Sequence, residues 1–98
     1  MSKPKHKWYG SVKKQIMDRT WENPNSFQDF LMQKAMYEAT QKTLKLPNGE
    51  DRMDAVEKIL IQQEKNYDGV AMEMYTSRPT IERWITSFVN MVGKEAGY

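Results

Sequence analysis

Cysteine is absent from the chain. No disulfide framework and no thiolate metal site can form, so packing alone has to hold the fold, which fits a reducing, cytoplasmic setting. Histidine occurs once, as His6 in a basic opening segment. It lacks the further histidine, cysteine or clustered carboxylates that a transition-metal site needs. Long apolar runs are missing as well. The longest fall far short of the roughly 20 residues that cross a bilayer, so no membrane partner is expected. The opening Lys3-Pro4-Lys5-His6-Lys7 runs into Trp8-Tyr9-Gly10-Ser11 and not into an apolar core, so it does not read as a secretory signal. Alternating polar and apolar runs of strand length, internal repeats and low-complexity tracts are also lacking. No serine stands with a histidine and an acid in a triad, and Gly10, Gly49, Gly69, Gly93 and Gly97 make no phosphate-binding loop. Neither catalysis nor a cofactor is expected.

What is present is an ordinary globular balance, 39% apolar and 29% charged over 98 residues, enough for one core and too short for two. The net charge is only +2, which permits nucleic-acid binding without arguing for it. Its distribution says more. Lys3, Lys5, Lys7, Lys13, Lys14 and Arg19 stand in the first twenty residues against a single acid, Asp18.

Residues 1–7 lack periodicity and read as a mobile basic arm. Trp8, Val12, Ile16 and Met17 then keep helical spacing, with Lys13 and Lys14 on the other side, which predicts a first helix from about 7 to 18. Trp21 through Ser26, with Pro24 at its centre, breaks that helix. Ser26 caps the next, with Asp29 three residues on in a variant of the capping box. Phe27, Phe30, Leu31, Lys34, Ala35, Met36, Ala39 and Leu44 form one long amphipathic pattern from about 27 to 44, the second helix. Leu46-Pro47-Asn48-Gly49 is the strongest turn signal, combining a fixed φ with a residue tolerant of φ above zero. From Glu50, the series Met53, Val56, Ile59, Leu60 predicts a third helix to about Lys65, with Glu50, Asp51 and Asp54 at its positive dipole end. The class is all-α, a bundle of four or five helices, with residues 8–65 as N-terminal helices and 66–98 as a separate motif.

That motif is a helix-turn-helix. It needs a small residue where two helices cross, and Ala71 fills the place; Val70, Met74, Ile81 and Trp84 fall at separations that point them into one core. Thr76 or Ser77 caps the second helix, and Pro79 sits in its first turn, where the missing N–H costs nothing. The buried stripe Ile81, Trp84, Ile85, Phe88, Val89, Val92 leaves Arg78, Pro79, Glu82, Arg83 and Thr86 outward. With Ser77 and Thr80 these are the candidate DNA readers, the arginines for guanine edges or phosphates, Thr80 for a phosphate or a thymine methyl. Lys3, Lys5, Lys7, Lys13 and Lys14 are the candidate backbone contacts. Gly93 and Gly97 mark a fraying end. A short helix, a polar turn and a longer striped helix also occur in bundles that bind no DNA, and the turn carries Tyr75 where many such motifs place glycine.

Asp68-Gly69-Val70-Ala71 through Ser77-Arg78-Pro79-Thr80-Ile81-Glu82-Arg83-Trp84, then Phe88-Val89 and the closing Gly97-Tyr98, resembles the C-terminal region of the RinA and ArpU-type phage transcriptional regulators. Lys3 through Gly10 resembles the opening of the same group, and Leu44 through Arg52 its link into the third helix. Residues 20–43 contribute little. The resemblance implies a sigma region 4-like DNA-binding domain in a phage or prophage regulator that activates late genes in a bacterial cytoplasm. Double-stranded DNA is then the partner, with a homodimer or RNA polymerase adding contacts that a single motif lacks. Two other readings stay open: a phage protein that occupies a host polymerase or defence enzyme, and a small terminase-like packaging protein.

The remaining signals have plain readings. Eight methionines serve as core filling more often than as an adaptable groove. Trp84, in register with Ile81 and Phe88, belongs to the core; Trp21 lies in a loop where nothing obvious buries it. Asp51, Asp54 and Glu57 on one helix face read as solvated acids.

Overall fold

The computed structural model describes residues 6–98. It holds five α-helices and, among those residues, no strand: α1 (Tyr9–Asp18), α2 (Phe27–Leu44), α3 (Gly49–Val56), α4 (Tyr67–Glu73) and α5 (Arg78–Glu95). A 3₁₀ turn at Thr20–Glu22 follows α1, and a π-helical turn at Glu57–Gln62 extends α3. α5 is the central post and touches each of the other four helices. Its Ile81, Ile85, Phe88, Val89 and Val92 are fully buried and join residues of every other helix in one apolar cluster. Each such side chain contributes about 1.5–3 kcal/mol.

The helix starts follow local chemistry. Ser26 accepts the Asp29 N–H at 3.2 Å, and the Asp29 carboxylate reaches back to the Asn25 N–H at 3.2 Å, a capping box displaced by one residue. α2 then spans the predicted range. α1 starts two residues later than expected. The Tyr9 N–H donates to the His6 carbonyl, and the His6 ring stacks on Trp8 at 4.5 Å, so His6 is not part of a free arm. Lys3 and Lys5, with the start of that arm, lie outside the described residues.

Several other expectations are corrected. The third helix does not continue to Lys65 as α-helix: its last turn widens, with the Gln63 N–H donating to the Lys58 carbonyl, and both Ile59 and Leu60 enter the core. Trp21 is not left in an open loop. It packs against the core from the 3₁₀ turn, and its indole N–H satisfies the Ile16 carbonyl at the end of α1 at 3.0 Å. In the turn after α2 the positive φ falls to Asn48, at 60°. Gly49 is needed for space instead, because a Cβ there would stand 2.5 Å from the Leu44 carbonyl oxygen.

The end of α5 is closed by backbone hydrogen bonds. Gly97, at φ +92°, reverses the chain, and the Tyr98 N–H returns to the Gly93 carbonyl at 2.9 Å. The Tyr98 hydroxyl then accepts from Gln15 of α1 at 2.8 Å and Gln28 of α2 at 3.3 Å. Gly93 is a packing position inside the helix. A Cβ there would meet Trp8 Cζ3 at 2.1 Å, so the missing side chain is what seats the indole.

The largest departure is in α2, where the single amphipathic pattern divides into two faces. Met32, Ala35, Met36, Ala39 and Thr43 face the core, and the buried Thr43 hydroxyl donates to the Met91 sulfur of α5. Phe27, Phe30, Tyr37 and Leu44 lie on the opposite side, 78%, 57%, 63% and 44% exposed. No helix of the described residues is long and apolar enough to cross a membrane.

Candidate nucleic-acid interface

Asn66 starts α4 by accepting the Gly69 N–H at 2.8 Å. The helix ends seven residues later in a paired backbone closure: the Tyr75 N–H donates to the Met72 carbonyl at 3.3 Å and the Thr76 N–H to the Ala71 carbonyl at 2.9 Å. This Schellman arrangement requires a left-handed residue between helix and exit, normally glycine. Here it is Tyr75, at φ +56°, with its side chain 97% exposed. A tyrosine in this conformation costs about 1–2 kcal/mol relative to an unstrained one, and full exposure returns none of that through packing. Ser77 then opens α5, accepting the Thr80 N–H at 3.4 Å, with Pro79 in the first turn. Val70, Ala71 and Ile81 are buried beneath the turn, while Met74 and Trp84 are half-buried and packed on the core. The Arg52 guanidinium lies over the Trp84 ring at 6.0 Å.

The predicted readers divide into two groups. Arg78 is engaged within the chain: its guanidinium bonds Asp68 at 3.0 Å and Glu82 at 2.9 Å and lies 5.8 Å over the Tyr67 ring. Bonding to Glu82, then the Asp68 charge, raises its pKa further. Glu82 is committed to the same pair. Arg83 has no ion-pair partner among the described residues; it reaches only the Thr80 hydroxyl, at 3.3 Å. Pro79 is exposed, and Thr86 is half-exposed further along α5. Thr80 shares its hydroxyl between Ser77 and Arg83.

The predicted backbone contacts divide as well. Lys7 and Lys14 are exposed. Lys13 is drawn toward the helix pair: its ammonium bonds the Tyr67 hydroxyl at 2.9 Å and lies 5.4 Å from the ring centroid. Tyr67 thus holds Lys13 of α1 and Arg78 of α5 near one ring. Beside it a shallow groove of about 310 Å³ opens between α1, the π turn and α4, lined by Lys13, Met17, Ile59, Gln63, Lys65, Asn66 and Tyr67.

No family model, curated protein or solved structure matches the chain.

Sequence reasoning missed two features of this face and marked a third without its conformation. Tyr67 links α1 to α5, but only the fold shows that Lys13 and Arg78 meet at its ring. Glu73 ties α4 to the preceding segment, bonding Lys58 at 2.8 Å and also pairing with Lys65. Those bonds, Lys58 foremost, hold its carboxyl down at about 2. The left-handed Tyr75 had a signal: it stands where such turns place glycine. Among the described residues no three histidines, cysteines, aspartates or glutamates are grouped to hold a metal ion.

Proposed function

We propose that the protein is a sequence-specific DNA-binding regulator that lays the N-terminal half of α5 in the major groove. One observation carries this reading: the closure of α4 through Ala71, Met72, Tyr75 and Thr76, followed at once by the Ser77 cap, starts α5 directly after α4 and leaves Pro79 exposed and Arg83 without an ion-pair partner among the described residues. Arg83 reads bases, while Lys13, Lys14 and Lys7, joined by Lys3 and Lys5, follow phosphates. The resemblance to the RinA and ArpU-type regulators adds a phage or prophage setting and the activation of late genes beside RNA polymerase. A single helix pair offers few base contacts, so the site is read by a dimer or with the polymerase's help.

A second reading, a protein partner at the same face, is favoured by the neutralisation of Arg78 by Asp68 and Glu82 and by the exposed Met72 and Tyr75 beside the turn.

Retention of a randomised duplex pool at two salt concentrations, followed by sequencing, separates the two. An enriched motif that survives moderate salt supports the regulator. Retention without a motif points to packaging, and no retention at low salt points to the protein partner. Arg83→Ala is expected to cost the preferred site about 1–3 kcal/mol and random DNA little, whereas Lys13→Ala with Lys14→Ala weakens both alike and flattens the salt dependence. Equal losses from the two changes would refute the division of roles.

A further inference from the structure

The outer face of α2 carries a regular seam. Phe27, Phe30, Lys34, Tyr37, Gln41 and Leu44 follow one another at alternating spacings of three and four, the a and d positions of successive heptads. All six are exposed and stand opposite the buried face of the same helix. A helix apolar on both sides has a partner for one side only in the monomer.

We propose that this seam is the interface of a homodimer in which two α2 helices pair antiparallel about a two-fold axis. The seam is complementary to itself in one direction only. A parallel pair would set Lys34 against Lys34, a desolvated like-charge contact. The antiparallel register sets Phe27 against Leu44, Phe30 against Gln41 and Lys34 against Tyr37 of the other copy. Lys34 then stands at the level of the partner's Tyr37 ring and Glu38 carboxylate, a cation with an aromatic face and an acid to receive it, twice over by symmetry. Lys34 and Gln41 thus act as the polar positions that fix register and orientation in such seams. The four apolar side chains offer on the order of 400 Å² a side, the size of a weak, reversible association. This pairing does not depend on DNA binding, because the seam stands on the side of α2 opposite the one buried in the core with α5.

Sedimentation velocity of the full chain from about 1 to about 500 µM tests it. A monomer–dimer equilibrium is expected, with the dissociation constant raised at least about 10-fold by Tyr37→Glu and by Lys34→Glu, and recovered when Lys34→Glu is combined with Glu38→Lys. Melting of the dilute monomer serves as the control and should not change. Orientation is read by adding single cysteines to a chain that has none. With a short bis-maleimide, a mixture of Phe27→Cys and Leu44→Cys proteins should cross-link at least about 10-fold faster than either alone, since only the antiparallel register brings those positions together. A monomer throughout the range, a dimer indifferent to both substitutions, or cross-linking of like with like would each overturn the proposal. Sedimentation reads the dimer and duplex retention reads DNA binding, so either can fail without the other.

Discussion

α2 and α5 are both 18 residues long, both begin at a serine cap, and both bury a continuous stripe in the same core. Their outer faces differ. α5 turns out Arg78, Pro79, Glu82 and Arg83, a polar row crossed by ion pairs; α2 turns out two phenylalanines, a tyrosine and a leucine. Burial accounts for the inner face of each helix and leaves the outer face unexplained. The outer faces are therefore where the two functional proposals separate: α5 for a charged, grooved partner, α2 for a second apolar helix.

The sharpest test of that contrast compares the two sides. Ile85→Ala, which empties a fully buried site on α5, is expected to cost about 2–5 kcal/mol in urea unfolding. Tyr37→Ala on the outer face of α2 should leave the dilute monomer within about 0.5 kcal/mol of the parent. A large loss from Tyr37→Ala would mean that the stripe is covered within the monomer, and the contrast would collapse.

Next in size are the two glycines on which these helices depend. Ala at Gly49 drives a methyl into the Leu44 carbonyl at the end of α2, and backbone cannot yield, so Gly49→Ala should reach the upper end of about 1–3 kcal/mol. Gly93→Ala in α5 should cost less. The clash with Trp8 outweighs the gain of up to about 1 kcal/mol that alanine brings to a helix interior, and the loss should appear with a change in Trp8 fluorescence. A gain in stability from Gly93→Ala would show that the indole is not seated there.

Smaller, and opposite in sign, is Tyr75→Gly at the entry to α5. Removing the left-handed strain should stabilise the chain by about 1 kcal/mol. If the exposed ring serves the partner of this face, the same change weakens binding while raising the melting temperature, a divergence that no substitution on the outer face of α2 should show in a DNA-binding assay.

The smallest effect is electrostatic and falls on neither outer face. Glu73 has its carboxyl lowered from 4.5 to about 2 by Lys58 and Lys65. A depressed carboxylate contributes stability above its unfolded value and loses it as the pH falls from about 4.5 toward about 2. Glu73→Gln should remove that part of the acid-induced loss in a melting series, and variants on the outer faces of α2 and α5 should retain it.

Much of the fold was legible because its signals are local. The Ser26 and Ser77 caps, the breaks at Pro24 and Pro47 and the helical spacing of α2 and α5 act within a few residues of one another, and backbone sterics and orphan N–H groups respond to them whatever the rest of the chain does. The same spacing could not say which side of α2 turns inward. Phe27 and Leu44 are more apolar than Ala35 and Thr43, yet Ala35 and Thr43 are the ones that lie in the core, because burial on a packed face is decided by the fit to neighbouring elements as well as by hydropathy. The candidate site divides along the same line. The exposure of Arg83 and Pro79 follows from helical period alone. The commitment of Arg78 to Asp68 and Glu82, the meeting of Lys13 with Tyr67 and the need for space at Gly93 join residues that are remote in sequence or lie on different turns. The sequence by itself thus determined the all-helical class, the extent of α2 and the serine caps of α2 and α5; the tertiary structure decided how the third helix ends, which faces are buried and which charges are already paired, because burial and pairing depend on partners brought from far along the chain.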